Sequence, residues 1–317
     1  MRIAILDDYQ NAALGAADWK SLGRGVHIKV FDKYIKGEAA VARALKPFDV
    51  VVGMRERTPF PKSLIAKLPN LKLLVTTGMR NLSFDMRAAK ASGVVVSGTQ
   101  MLGYPAAEHA LALLFALYKK IAAEDRLMKR GGWQGQVSEG MKGKTLGVLG
   151  LGKLGGQVAR VGLALDMKVT AWSQNLTPER CADVGAQLVD KKTLFSTSDA
   201  ISIHLVLSDR TRGLVGKAEL AAMKPTAYLV NTSRGPIVDE KALIKALKAG
   251  RIAGAGLDVY DVEPLPKSHA LRKLKNVVLT GHTGYVVKEL YALAYGDAVE
   301  DIKAWMQGRP IRVLNAD

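Results

Sequence analysis

The sequence holds a single cysteine, Cys181. No disulfide can form within the chain, which excludes the disulfide-stapled secreted class and suits a reducing compartment. Long apolar runs are also missing. The longest, "ALALLFALY" from Ala110 to Tyr118, falls far short of the ~20 residues that span a bilayer. The start, "MRIAILDDYQ", turns acidic at Asp7 and has neither the basic opening nor the apolar length of a secretory signal. Acidic residues are scarce: 29 Asp and Glu stand against 46 Lys and Arg, a net charge of +17. Such a field draws anions. The basic residues are dispersed, without long runs or interleaved aromatics, so small acidic metabolites are expected as partners, and no specific nucleic acid. The expectation is a soluble cytoplasmic protein with no membrane association.

What is present is apolar and periodic. Hydrophobic residues make up 48% of 317 positions, enough for large cores and more chain than one ordinary domain needs. Short β-rich runs alternate with helical stretches throughout. In the first part they are "RIAIL", "VHIKVF", "DVVVG", "KLLVTT" and "VVVS". A second series follows: "TLGVLG", "KVTAW", "AISIHLV", "TAYLVN", "IAGAGLDV" and "NVVLT". Strands apolar on both faces and separated by helices predict parallel sheets covered on both sides. Between the series, one long helix is expected over about 105–130, with an apolar stripe through Ala107, Ala110, Leu111, Leu114 and Leu117. The reading is two α/β domains: residues 1–99 with 286–317, and residues 100–285. The two chain crossings are expected to act as hinges around a cleft.

The stretch "GLGKLG" sets Gly150, Gly152 and Gly155 in G-x-G-x-x-G spacing, with Lys153 and Leu154 inside it. Alone the pattern is weak. Here a buried strand precedes it and an amphipathic helix follows, the context of a dinucleotide site. One glycine permits the tight turn, the next admits a pyrophosphate, and the third allows close helix packing at a helix N-terminus. The next strand ends on Ser173 and Gln174, where an acid usually receives the ribose hydroxyls.

Polar residues stand at later strand ends. "NTSRGPIVDE" places Arg234, "GLDVYDVEPLP" places Asp258 and Glu263, "LTGHTGYV" places His282, and "ISIHLVL" places His204. Taken singly, each is ordinary: an arginine or glutamate is commonly a solvated surface group, and a histidine is commonly structural. Beside a dinucleotide turn they suit carbonyl reduction. Arg234 can fork onto a carboxylate and polarise a ketone. His282 can give a proton to the developing alkoxide, and Glu263 would orient the ring and favour its protonated form. His204 reads as structural or cofactor-side. His27, His109 and His269 have no supporting context, and no cluster has metal-ligand spacing.

These stretches resemble the D-isomer-specific 2-hydroxyacid dehydrogenase family across nearly the whole chain. "GKTLGVLGLGKLGGQVA" is similar to its nucleotide-binding signature, and "MKPTAYLVNTSRGPIVDEKALIKALKAGRIAGAGLDVYDVEPLP" to its second and third signatures. The resemblance implies a flavodoxin-like substrate domain split around a Rossmann nucleotide-binding domain, both doubly wound parallel sheets. It implies Arg234, Glu263 and His282 as catalytic residues, Asp258 near the nicotinamide, and Thr232 and Gly284 on the cofactor side with the glycine turn. It also implies homodimers built partly on the helix from Pro105. The activity implied is hydride transfer between NAD or NADP and a small 2-keto or D-2-hydroxy acid such as glyoxylate or hydroxypyruvate.

The sequence departs from the family's pattern in places. Thr280-Gly281-His282 stands where "TPH" is frequent, and His204-Leu205-Val206 where "HLP" is. The substrate-carboxylate loop, usually "GVGVDNID", is "GMRNLSFD" here, with Gly78, Met79 and Arg80. Arg80 either adds positive charge near the substrate or points to solvent; Arg55 and Arg57 could join it. Without an acid at residue 173 a 2′-phosphate meets no repulsion, so NADP is favoured slightly over NAD. The family also contains corepressors that use the fold as a nucleotide-sensing interaction module, which is the alternative reading.

Overall fold

The computed structural model describes residues 1–316 and separates into two units: 1–102 with 286–316, and 103–285. The first unit contains β1 (Arg2–Ile5), β2 (His27–Val30), β3 (Val50–Gly53), β4 (Leu73–Thr76) and β5 (Val95–Gly98). They form one parallel sheet in the order β2-β1-β3-β4-β5, the doubly wound order that reverses between its first and third strands. The interior strands β3 and β4 are buried at every position, whereas the edge strand β2 alternates between exposed and half-buried positions. Unbroken apolar runs are needed where helices cover both faces; an edge strand needs less.

The outer edge of β5 is covered from far along the chain. Leu314 N–H donates to the Val96 carbonyl, and the Asn315 amide accepts from Val96 N–H and donates to the Val94 carbonyl. Arg312 secures this segment through an ion pair to the fully buried Asp301, 2.8 Å away on the helix Lys288–Met306. An edge closed in this way offers no template for a foreign strand.

The second unit carries β6 (Thr145–Leu149), β7 (Lys168–Trp172), β8 (Gln187–Leu188), β9 (Ala200–Ile203), β10 (Tyr228–Asn231), β11 (Gly254–Leu257) and β12 (Val277–Leu279). Their order is β12-β11-β10-β9-β6-β7-β8, all parallel. The order reverses between β6 and β9, the switch point at which open α/β sheets bind ligands beyond their carboxyl ends. One core lies against the helices Pro105–Tyr118 and Lys153–Ala164, and a second fills the opposite face.

The single long helix expected over 105–130 is broken. Pro105 starts it and Glu108 supports its first turn, but it stops at Tyr118, and a separate helix runs over Ile121–Met128. Between them Lys120 adopts a left-handed backbone, φ +55°. Its ammonium donates to the Tyr228 hydroxyl at 2.6 Å, which turns the chain where neither glycine nor proline marks a stop. β8, two residues long, is too short to show a period and was not expected. Among the described residues no helix is long and apolar enough to cross a membrane.

Candidate active site and nucleotide site

The three glycines of the turn after β6 are needed for three different reasons. Gly150 has φ +102°, and a Cβ there would meet the His204 carbonyl at 2.9 Å. Gly155 sits so close to the turn that a Cβ would lie 2.0 Å from the Gly150 carbonyl oxygen. Gly152 caps the 153–164 helix without a side-chain hydrogen bond to the helix end, and a Cβ there would meet nothing within 4 Å. An open space before a helix N-terminus whose N–H groups no side chain caps is a cradle for a phosphate group, so the residues present fit a dinucleotide. Leu154 is half-buried beside the turn.

Ser173 and Gln174 leave the end of β7, Ser173 half-buried and Gln174 exposed. Arg180 folds back over the turn, its Nε donating to the Leu151 carbonyl at 3.1 Å and its Nη2 to the Gly152 carbonyl at 3.4 Å. A guanidinium therefore stands on the rim of the glycine turn, within the nucleotide unit. His204 lies just after β9 and accepts or donates one bond with the Ser202 hydroxyl. Burial pushes its imidazole down to about 4, which favours the uncharged ring at neutral pH.

Arg234, Asp258, Glu263 and His282 follow the carboxyl ends of three adjacent strands, β10, β11 and β12. Asn231 shapes the first turn. Its amide donates to the Arg234 carbonyl at 2.9 Å and accepts from Ser233 N–H at 3.0 Å. Gly235 follows, where a Cβ would lie 2.1 Å from the Tyr260 backbone, so the turns after β10 and β11 touch through main chain. Thr232 is nearly buried. Glu263 accepts from Tyr260 N–H at 2.9 Å with one oxygen and from His282 Nδ1 at 2.6 Å with the other. With Nδ1–H given to the carboxylate, the tautomer and plane of the ring are fixed. Tyr285 packs edge-on against the same ring.

Asp258 is 1% exposed, and its carboxylate is turned toward the loop that carries His282. It accepts from the Thr280 hydroxyl at 2.5 Å and from Thr283 N–H and Gly284 N–H at 2.8 Å each. Burial pushes its carboxyl upward, but the bonds from His109, Thr280 and Thr283 outweigh this and hold it below the usual carboxylate range. His109, which has no supporting context in the sequence, lies here: its Nε2 is 2.8 Å from the Thr280 hydroxyl. Among the described residues, no group of three His, Cys, Asp or Glu could hold a metal ion.

The remaining candidates belong to the first unit. Gly78 follows β4 with φ +109°, and the Arg55 guanidinium lies over it, where a Cβ would be 2.0 Å from Nη1. Arg55 also donates to the Thr77 carbonyl at 3.1 Å. Met79 and Arg80 are exposed. Asn81, not singled out from sequence, clamps this edge by donating to the Arg55 carbonyl and the Thr76 hydroxyl. Arg57 does not join Arg55: it donates to the Asp7 carbonyl and stacks over the Tyr9 ring at 4.7 Å.

The family model for the D-isomer specific 2-hydroxyacid dehydrogenase NAD binding domain matches residues 111–284. A glyoxylate reductase of Aeropyrum pernix is 34% identical over 309 residues, covering 93% of this chain and 92% of its own. A D-3-phosphoglycerate dehydrogenase of Archaeoglobus fulgidus is 38% identical over 275 residues, 85% of this chain; the match spans 52% of that relative's length. The crystal structure of a phosphoglycerate oxidoreductase from Vibrio cholerae superposes with a TM-score of 0.92 at 35% identity, covering 97% of this chain and 99% of the other.

Proposed function

Since this chain belongs to the D-isomer specific 2-hydroxyacid dehydrogenase family, we propose that it is a reductase of small 2-keto acids, interconverting them with D-2-hydroxy acids. The observation that carries this reading is the His282 Nδ1–Glu263 contact of 2.6 Å beside the Arg234 turn. A bound nicotinamide supplies the hydride. The chain's own residues do the rest. Arg234 forks onto the substrate carboxylate and polarises the carbonyl. His282, held through Nδ1, presents its other nitrogen and gives a proton to the carbonyl oxygen as it becomes a hydroxyl. Glu263 stabilises the imidazolium before the proton leaves. Within the first unit we propose Gly78, Met79, Arg80 and Arg55 as substrate-binding residues, and within the 103–285 unit Gly150, Gly152, Leu154, Gly155, Thr232 and Gly284 as nucleotide-binding residues.

We favour NADP over NAD. Ser173 brings no charge against a 2′-phosphate, and Arg180 stands on the rim of the glycine turn. The protein is proposed to act as a homodimer. Ile121, Met128, Trp133 and Val137 are exposed in one stretch of the nucleotide unit, Val137 at 96%, and a second copy would cover them. A cytoplasmic location suits the single, buried Cys181. The test is a panel of 2-keto acids, glyoxylate and hydroxypyruvate included, with NADH and NADPH, followed by loss of reduced-cofactor absorbance. Turnover of at least one acid is expected. Cofactor binding without turnover of any acid would overturn the enzyme reading in favour of a nucleotide-sensing module.

A further inference from the structure

We propose that His109 is a positioning residue for the loop that carries His282, acting through Thr280 and Asp258. The proposal rests on the reading of His282 as proton donor. His282 has a left-handed backbone, φ +55°, a conformation that is unfavourable for a non-glycine residue and persists only where its surroundings enforce it. Three successive N–H groups enforce it here. His282 donates to the Asp258 carbonyl, Thr283 to Oδ1 of the Asp258 carboxylate and Gly284 to Oδ2, each at 2.8 Å. The loop is therefore wrapped around one buried acid, and its shape depends on that acid being ionised and correctly turned.

His109 controls both conditions. An ionised carboxylate only accepts, so the Thr280 hydroxyl must donate to Asp258 Oδ1. The same oxygen of Thr280 is then left to accept from His109 Nε2 at 2.8 Å. The bonds run in one direction, from His109 to Thr280 to Asp258. His109 Nε2 also lies 3.4 Å from Asp258 Oδ1, so its N–H dipole adds to the same field. Its ring flanks Gly284, where a Cβ would lie 3.5 Å from His109 Cβ and Cδ2. The histidine stands on the 105–118 helix, so the loop is referenced to that helix as well as to the sheet. Removal of the donor lets the Thr280 hydroxyl rotate toward another acceptor, and Asp258 loses a bond it needs to hold the loop.

The experiment compares His109→Leu, His109→Gln, Thr280→Val and the double variant His109→Leu/Thr280→Val, with His282→Asn as reference. His109→Leu and Thr280→Val should each lower kcat by roughly 10- to 100-fold, the penalty of a small misplacement of a catalytic group. Cofactor Kd, to which Gly284 of the same loop contributes, should change by a smaller factor than kcat does. His109→Gln keeps an N–H at the same reach and should retain kcat within a few-fold. The double variant should be no slower than the slower single one, because both break one chain of bonds. Wild-type kcat in His109→Leu, losses that multiply in the double variant, or His109→Gln as slow as His109→Leu would each overturn the proposal. If His109→Leu fails to fold, the His109→Gln and Thr280→Val pair decides by the same criteria. His282→Asn separates the two readings: full turnover in that variant sinks the donor assignment itself.

Discussion

Gly152 and Gly155 stand three residues apart in one motif, yet the structure separates what each is for. In Gly155→Ala the new methyl would lie 2.0 Å from the Gly150 carbonyl oxygen and 3.1 Å from both the Gly150 carbonyl carbon and a Val148 methyl. The first contact is with backbone, which cannot swing aside as a side chain can. Alanine gains ~1 kcal/mol over glycine in a helix interior, but forced overpacking costs ~1–3 kcal/mol or more. The clash wins because the backbone oxygen cannot swing aside, and Gly155→Ala should be less stable by up to ~2 kcal/mol. In Gly152→Ala the methyl meets nothing within 4 Å, and φ is −78°, a value any residue adopts. A small loss from a poorer helix cap is offset by a less flexible unfolded chain, so stability should stay within ~1 kcal/mol. The space it enters is the cradle before the helix, so cofactor binding should fall at least roughly tenfold, about 1.4 kcal/mol. The assay is urea unfolding of both variants without cofactor, then titration of NADPH and NADH by fluorescence. The reasoning is refuted if Gly152→Ala binds cofactor as wild type does, or if Gly155→Ala unfolds at the wild-type midpoint.

His282→Asn should lower turnover by roughly 10²–10⁴-fold with cofactor affinity unchanged, measured by steady-state kinetics and fluorescence titration. Ser173→Asp should shift the ratio of kcat/KM for NADPH over NADH by at least roughly tenfold toward NADH; an unchanged ratio means residue 173 does not read the ribose. Arg180→Ala should weaken NADPH more than NADH, since its guanidinium stands on the rim of the turn; equal weakening would make it a support for the turn alone. Burial lowers His204 from 6.5 to about 4, so the unfolded chain binds the extra proton first. Its stabilising contribution is then complete above about pH 6.5 and is lost as pH falls toward 4. It amounts to at most about 3 kcal/mol, and less because the residue keeps an accessible edge. Urea unfolding at pH 5 and pH 7.5 should show a smaller pH difference for His204→Gln than for wild type.

The two parallel sheets were legible because burial on both faces leaves a strong trace. β3 reads "VVVG" and β4 "LLVT", with no polar alternation to confuse them with a half-exposed strand. The glycine turn was legible because its spacing falls between a strand and a helix. Arg234, Glu263 and His282 stood out because chemistry-bearing residues gather at strand ends. His109 left no such trace. It sits half-buried on a largely apolar helix, and the partner that gives it meaning, Thr280, is 171 residues away. The helix break at Lys120 was invisible for a related reason: it rests on a bond to Tyr228, 108 residues on. Arg57 looked like a neighbour of Arg55 in sequence, but the Tyr9 ring offered its guanidinium a flat surface and turned it away.

The segment over 312–315 that closes the edge of β5 has a consequence during synthesis on the ribosome. Ser97 and its partner Ile311 are 214 residues apart. At roughly 5–20 residues per second, that edge waits on the order of 10–40 s for the strand segment that covers it. The 103–285 unit is continuous in sequence and emerges whole within that interval. The order of translation therefore sets an order of assembly: the inserted unit is complete in sequence before the segment that covers the edge of β5 has been made. For that interval β5 presents an open ladder, so substitutions at Arg312 or Asn315 should show first as poor yield in the cell rather than as lost activity in the folded protein.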